Sequence, residues 1–198
     1  MQRLIVGITG ATGAVFGVRL LQALEGSGIE THLVISKWAL QTIEHEVALP
    51  IDAIRALAAF SHEPGNFNAP IASGSFRVDA MIIAPCSVRS LAAIAHGSGD
   101  TLIHRAADVV LKERRRIVLL VREMPLSTIH LENMLALARM GATIMPPMPA
   151  FYNHPQSVED IVDHVVARTL DQLDLPAPFA RRWEGPPRAA AVPLQRKR

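Results

Sequence analysis

Cysteine occurs once in the 198 residues, at position 86, so an intramolecular disulfide and a CxxC-type metal knuckle are both excluded. Tyrosine also occurs once, and aromatic residues make up only 5% of the chain. Charge of one sign is lacking too. The formal net charge is +2, too small to point to nucleic acid, and much of the basic excess lies between Arg181 and Arg198. No apolar run reaches the roughly 20 residues of a membrane-spanning helix. The first residues enter a strand pattern almost at once, which leaves no room for a signal peptide, so a cytoplasmic protein is expected. Apolar residues at 49% and charged residues at 19% fit a compact domain and argue against disorder.

Against that background the first fourteen residues stand out. Leu4, Ile5 and Val6 form an apolar, partly β-branched run that predicts a buried strand. Gly7-Ile8-Thr9-Gly10-Ala11-Thr12-Gly13-Ala14 follows, then an amphipathic stretch from Val15 to Leu24. A strand that turns through close glycines into a helix lets the backbone approach a phosphate, which first-turn N–H groups and the helix dipole then hold. Thr9 and Thr12 would add hydroxyl donors. The competing reading is a tight βα turn without a ligand. The order G-x-x-G-x-x-G differs from the G-x-G-x-x-G of dinucleotide folds, so the motif does not name NAD.

Four further strands are expected, at Thr31–Ile35, Ala80–Ala84, Ile117–Val121 and Ala142–Met145, with helices between them. Asp52–Ala59 has a helical pattern, and Ser61–Phe76, rich in Gly, Pro, Asn and Ser, is a long loop of the kind that often carries function. Ser87 is placed to cap the helix Val88–His96, Ser127 or Thr128 the helix ending at Met140, and Ser157 with Asp160 the last long helix. The result is an α/β fold: a doubly wound parallel sheet, Rossmann-like or flavodoxin-like, in three layers and one domain. The domain is expected over residues 1–175. Residues 176–198 form a partly ordered tail, with disorder from about Pro186.

In such a sheet the ligand lies outside the carboxyl ends of the strands. Those ends carry Thr9 to Thr12, Ser36-Lys37, Ser87 to Ser90, Arg122-Glu123 and the loop to Tyr152. Ile161, Val165 and Arg168 follow an i, i+4, i+7 line, so Arg168 flanks an apolar stripe. Its guanidinium either meets an anion or snorkels at the stripe's edge. Lys112, Arg122 and Arg168, if they converge, make a second anion cup beside the glycine turn, with the Tyr152 hydroxyl as a further donor. Phe67 in the loop and Trp183 in the tail are oddly placed for core residues. Either aromatic face could shelter a cation, or Trp183 could merely pin the tail. The histidines show no metal-ligand spacing.

The stretches GITGATGA, LVISK, IASGSF, PCSVRSLA, RAADVVLKERR, VREMPLSTIHLENM and GATIMPPMPAFYNHP resemble the UbiX-type flavin prenyltransferases, once described as partner subunits of aromatic-acid decarboxylases. The resemblance runs from the first strand to Trp183. It implies a metal-independent transferase, assembled as a homododecamer with sites between subunits. Such an enzyme joins the dimethylallyl group of dimethylallyl monophosphate to N5 and C6 of reduced FMN. The prenylated FMN would serve a UbiD-type decarboxylase, in ubiquinone synthesis or aromatic-acid breakdown. Matching motifs assign FMN binding to Gly10, Ala11, Thr12, Ser36, Ser87, Val88, Arg89, Ser90 and Arg122. They assign the prenyl-phosphate pocket to Lys112, Arg122, Tyr152 and Arg168, its aromatic walls to Phe67 and Trp183, and acid–base work to Glu123. Three departures stand out: Thr12 for a common serine, Arg89-Ser90 for Lys-Thr, and Phe67 for tryptophan. The first two keep the hydroxyl and the charge; the third leaves the preferred prenyl donor open. Rival readings are an FMN-dependent decarboxylase of the cysteine type, an NAD(P) reductase and a non-catalytic flavin carrier. Against the reductase, Tyr152 is followed four residues later by Gln156 rather than lysine.

Overall fold

The computed structural model describes residues 2–179, 182, 183 and 185. Its strands are β1 (Arg3–Ile8), β2 (Glu30–Ile35), β3 (Phe60–His62), β4 (Ala80–Cys86), β5 (Arg116–Val121) and β6 (Thr143–Ile144). Its α-helices are α1 (Ala14–Leu24), α2 (Lys37–Glu46), α3 (Ile51–Ala56), α4 (Val88–Ala95), α5 (Leu102–Lys112), α6 (Thr128–Arg139) and α7 (Val158–Asp171). All strand pairings are parallel, in the order β3-β2-β1-β4-β5-β6. This is the doubly wound α/β fold expected from the sequence.

Alternation along the central strands explains the three layers. In β4, Ala80, Ile82 and Ala84 join a core that includes Val18 and Leu21 of α1 and Val162, Val165 and Val166 of α7. Met81, Ile83 and Cys86 join the opposite core, with Ile103, Ala106 and Val110 of α5. Parallel strands buried on both faces must be apolar throughout, and β4 and β5 are so, apart from the exposed Arg116. The helix termini follow the expected signals. Ser157 Oγ accepts from Asp160 N at 3.1 Å, and Asp160 Oδ2 accepts from Gln156 N at 2.7 Å.

Two details differ from expectation. The sheet has a sixth strand, β3, inside the stretch read as helix and loop. It is a three-residue edge strand with Phe60 half exposed, too short to show a period. The helix before it ends at Ala56 rather than Ala59. Beyond α7 the chain stays against the body: Ala177 is buried, and the Arg19 guanidinium lies 4.6 Å from the centre of the Phe179 ring. The tail expected from Pro186 lies outside the described residues.

Candidate functional site

β1 and β4 are neighbours whose chain connections leave in opposite directions, so their carboxyl ends open a crevice that no crossover covers. Thr9 holds the two turns together there. Its hydroxyl donates to Pro85 O at 2.8 Å and accepts from Ser87 N at 2.8 Å, and its own N–H donates to Pro85 O at 3.2 Å. Thr9 is buried and spent on these bonds, so it is not the ligand donor the sequence reading made it. What it does is fix the β1–α1 turn against the β4–α4 turn.

The crevice is a cavity of about 780 Å³. Its walls include Gly10, Ala11 and Thr12 after β1, Ser36, Lys37 and Trp38 after β2, Ser87 to Ser90 after β4, and Arg122 with Glu123 after β5. Four of the five strand ends singled out in the sequence therefore meet in one place. Two helices present their N-termini to it. Ser36 caps α2 by accepting from Ala39 N at 3.2 Å, and Ser87 caps α4 by accepting from Ser90 N at 3.3 Å. The first-turn N–H groups of Lys37, Trp38, Val88 and Arg89 are left without intrahelical acceptors. Lys37, Arg89 and Arg122 make no ion pair among the described residues. This combination of dipoles, donors and unpaired cations suits a phosphate.

The N-terminus of α1 is different. Glu46 at the end of α2 turns back, and its Oε2 accepts from Gly13 N at 2.7 Å and Ala14 N at 2.9 Å. The helix-dipole site that the sequence reading gave to a phosphate is thus filled by a carboxylate of the same chain. Gly10 keeps another function: a Cβ there would lie 2.4 Å from Trp38 Cβ, so only glycine lets the β1–α1 turn pass this close to α2. The side chains of Trp38, Val88 and Ile103 supply apolar surface to the cavity wall. The residues present fit a flavin mononucleotide, with its anionic end and its extended ring.

Sequence reasoning missed Trp38, Pro64, Gly65, Asp100 and His104, all of which line the cavity. His104 is buried, with Nε2 3.2 Å from Ser90 Oγ. Burial and the Arg89 charge hold its ring below the ordinary histidine value, with Asp100 opposing. Cys86, at the end of β4, is buried, and burial pushes its thiol up to about 12; it is no nucleophile.

The second cup does not form within one chain. Arg122 and Glu123 are at the cavity, but Lys112 is not. It sits at the far end of α5, eight residues beyond His104 and so about 12 Å along the axis. There its Nζ lies 2.7 Å from Glu113 Oε1. Tyr152 and Arg168 lie along α7 instead. The Tyr152 hydroxyl is 3.4 Å from His164 Nε2, and its ring centre is 5.8 Å from that of Trp183. Arg168 Nη1 bonds Asp171 Oδ2 at 2.7 Å, which also receives Arg182. Arg168 is near the amino ends of the strands, since Arg116 at the start of β5 reaches Asp174 just past α7. Phe67 is half exposed in its loop, two residues from the Gly65 that lines the cavity.

Comparison with known proteins agrees with this geometry. The family model described as Flavoprotein matches residues 1–170. A protein of Streptomyces sp. (strain D7) named a probable UbiX-like flavin prenyltransferase is 64% identical over 184 residues, covering 92% of each chain. The dodecameric FMN-dependent UbiX-like decarboxylase from Escherichia coli O157:H7 superposes with a TM-score of 0.92 at 63% identity, covering 93% of this chain and 100% of that one. A further structure, AnUbiX (PadA1) in complex with FMN and dimethylallyl pyrophosphate, has a TM-score of 0.92 at 52% identity, over 93% and 98% of the two chains. The chain belongs to the UbiX-type family of flavin prenyltransferases.

Proposed function

We propose that the cavity at the β1–β4 switch point binds reduced FMN and that the chain joins to it the dimethylallyl group of dimethylallyl monophosphate, at N5 and C6, with release of phosphate. The observation that carries this is the meeting of two helix N-termini, the Glu123 carboxylate, and Arg89 and Arg122, which make no ion pair among the described residues, in one crevice. Gly10, Ala11, Thr12, Ser36 and Ser87 to Ser90 hold the flavin nucleotide. Bound there, the flavin supplies the nucleophilic atoms. Arg122 spans the flavin and the prenyl phosphate and steadies the charge that grows on the departing phosphate. Glu123 takes and returns protons as the ring closes.

Lys112, Tyr152 and Arg168 complete the phosphate grip, with Phe67 and Trp183 as aromatic walls. Because one chain keeps them apart from the cavity, neighbouring chains must bring them to it, which calls for an oligomer with shared sites; by likeness to the dodecameric E. coli relative we take it to be a homododecamer. Large apolar side chains left on the surface support such packing: Met124 is 83% exposed, Val158 70% and Met148 69%. Prenylated FMN would then pass to a UbiD-type decarboxylase. We place the reaction in the cytoplasm.

The deciding assay incubates the assembled protein anaerobically with reduced FMN and dimethylallyl monophosphate and follows flavin mass. A flavin heavier by one prenyl group supports the reading. An unchanged flavin, or carbon dioxide released from an added acid without any prenyl donor, would favour the decarboxylase reading instead. Glu123→Gln should retain FMN while turnover falls by about 10²-fold or more, the scale of a lost acid–base group.

A further inference from the structure

α7 carries one histidine, His164, whose ring lies between two residues of the loop that follows β6. Its Nε2 is 3.4 Å from the Tyr152 hydroxyl and its Nδ1 is 3.3 Å from Asn153 Nδ2. The Tyr152 ring meets it edge-on, with centres 5.7 Å apart at 84°. Burial, and then the positive Arg168 one turn along the helix, hold the ring below its ordinary value, with Asp171 opposing. At neutral pH the imidazole therefore has one N–H and one lone pair.

Asn153 decides which nitrogen has which. An amide nitrogen only donates, so Nδ2 against Nδ1 requires the lone pair there and puts the ring proton on Nε2. Nε2–H then donates to the phenol oxygen, and the phenol's own proton stays available. Turning the amide over would make Nε2 an acceptor and use up that proton. It would also move the amide NH₂, with two protons, into the buried place where Oδ1 now has no partner among the described residues, a worse loss than one unmet acceptor.

We propose that His164 is a positioning residue: fixed by Asn153 with its proton on Nε2, it keeps the Tyr152 hydroxyl turned outward as a donor to the phosphate of the prenyl substrate. This rests on the reading above that Tyr152 grips that phosphate. It adds a specificity element contributed by α7, away from the flavin cavity.

The test is steady-state kinetics on the assembled enzyme with reduced FMN and dimethylallyl monophosphate. His164→Phe keeps the ring's size and edge contact but removes both nitrogens. It should raise KM for the prenyl donor by about three- to tenfold, the scale of one hydrogen bond, with kcat and FMN affinity within about twofold. His164→Gln, whose amide nitrogen reaches the position of Nε2, should return KM toward the parent value. In a Tyr152→Phe background, His164→Phe should add nothing. If Tyr152→Phe alone raises KM but His164→Phe does not, or does so equally without the hydroxyl, the inference is overturned while the reading of Tyr152 stands. If Tyr152→Phe leaves KM unchanged, both fall.

Discussion

Glu46 offers the clearest way to test where the flavin phosphate goes. Its carboxylate bonds two consecutive backbone N–H groups, Gly13 and Ala14, at the start of α1. It does so from the last residue of α2, so it is a helix cap supplied by another element. Glu46→Ala removes both bonds and the negative charge at the positive end of the dipole. A lost cap costs about 1 kcal/mol and the dipole interaction about 0.3–1 kcal/mol more at an exposed site. Water can reach the freed groups, so the sum should stay at about 1–2 kcal/mol. For a chain of this size that lowers Tm by about 3–6 °C. Glu46→Gln keeps an acceptor oxygen and should lose only the dipole part, about 0.3–1 kcal/mol. The measurements are thermal unfolding without ligand and calorimetric titration with FMN. If the phosphate sits at α2 and α4, both variants bind FMN within about twofold of the parent, because α1 donates nothing to it. If the phosphate competes for α1, removing Glu46 frees two donors and relieves a repulsion, and FMN binds about tenfold tighter. That tightening, or an unchanged Tm in Glu46→Ala, would refute the assignment.

Three other outcomes follow from the geometry. Gly17→Ala would put a Cβ 2.3 Å from the Ala84 carbonyl oxygen and 2.9 Å from Ile8, both in central strands, so it should cost about 3 kcal/mol in urea unfolding. Gly26→Ala, with open space but a φ of 69°, should cost only about 1 kcal/mol, and equal costs would contradict this packing of α1 on the sheet. Burial, and then the charge of His32, hold His62 below its ordinary value, so below pH 6.5 the unfolded chain takes up a proton that the fold resists. Stability is therefore lost as pH falls from about 6.5 toward 5, above the range of the carboxylates, and His62→Gln should lessen that fall in denaturant midpoints, His104 and His164 carrying the rest; stability that is level or rises on acidification, or a fall unchanged in His62→Gln, defeats the argument. Finally, Lys112→Ala and Glu123→Gln should each be inactive alone, yet subunits of the two mixed and reassembled should recover activity, since some sites then draw both intact residues from different chains. No recovery would show that Lys112 does not serve a neighbour.

The parts of this molecule that were legible in its sequence are those governed by local pattern. The apolar runs of β1, β4 and β5, the caps at Ser87 and Ser157, and the glycine turn each depend on a few adjacent residues. The rule that ligands meet strand ends then brought Thr12, Ser36, Ser87 and Arg122 together without coordinates. What was not legible depends on partners distant in the chain. Nothing near Glu46 says that it will cap α1, and nothing near Thr9 says that its hydroxyl will be spent on Pro85 and Ser87. β3 is three residues long and takes its strand character from pairing with β2, not from its own pattern. The sharpest lesson is in Lys112, Tyr152 and Arg168. A strand-end rule can gather only what a single chain's topology gathers. α5 carries His104 at the cavity and Lys112 at the opposite end, and no rotamer of a lysine spans that helix. A chain that holds one anion site at the carboxyl ends of its strands and the remaining cations at the other end can bring them together only by symmetry, when the far end of one copy meets the cavity of the next. On the proposed role of Lys112, Tyr152 and Arg168, closed assembly completes the site, and dissociating the oligomer should abolish prenyl transfer while leaving the flavin cavity able to bind FMN.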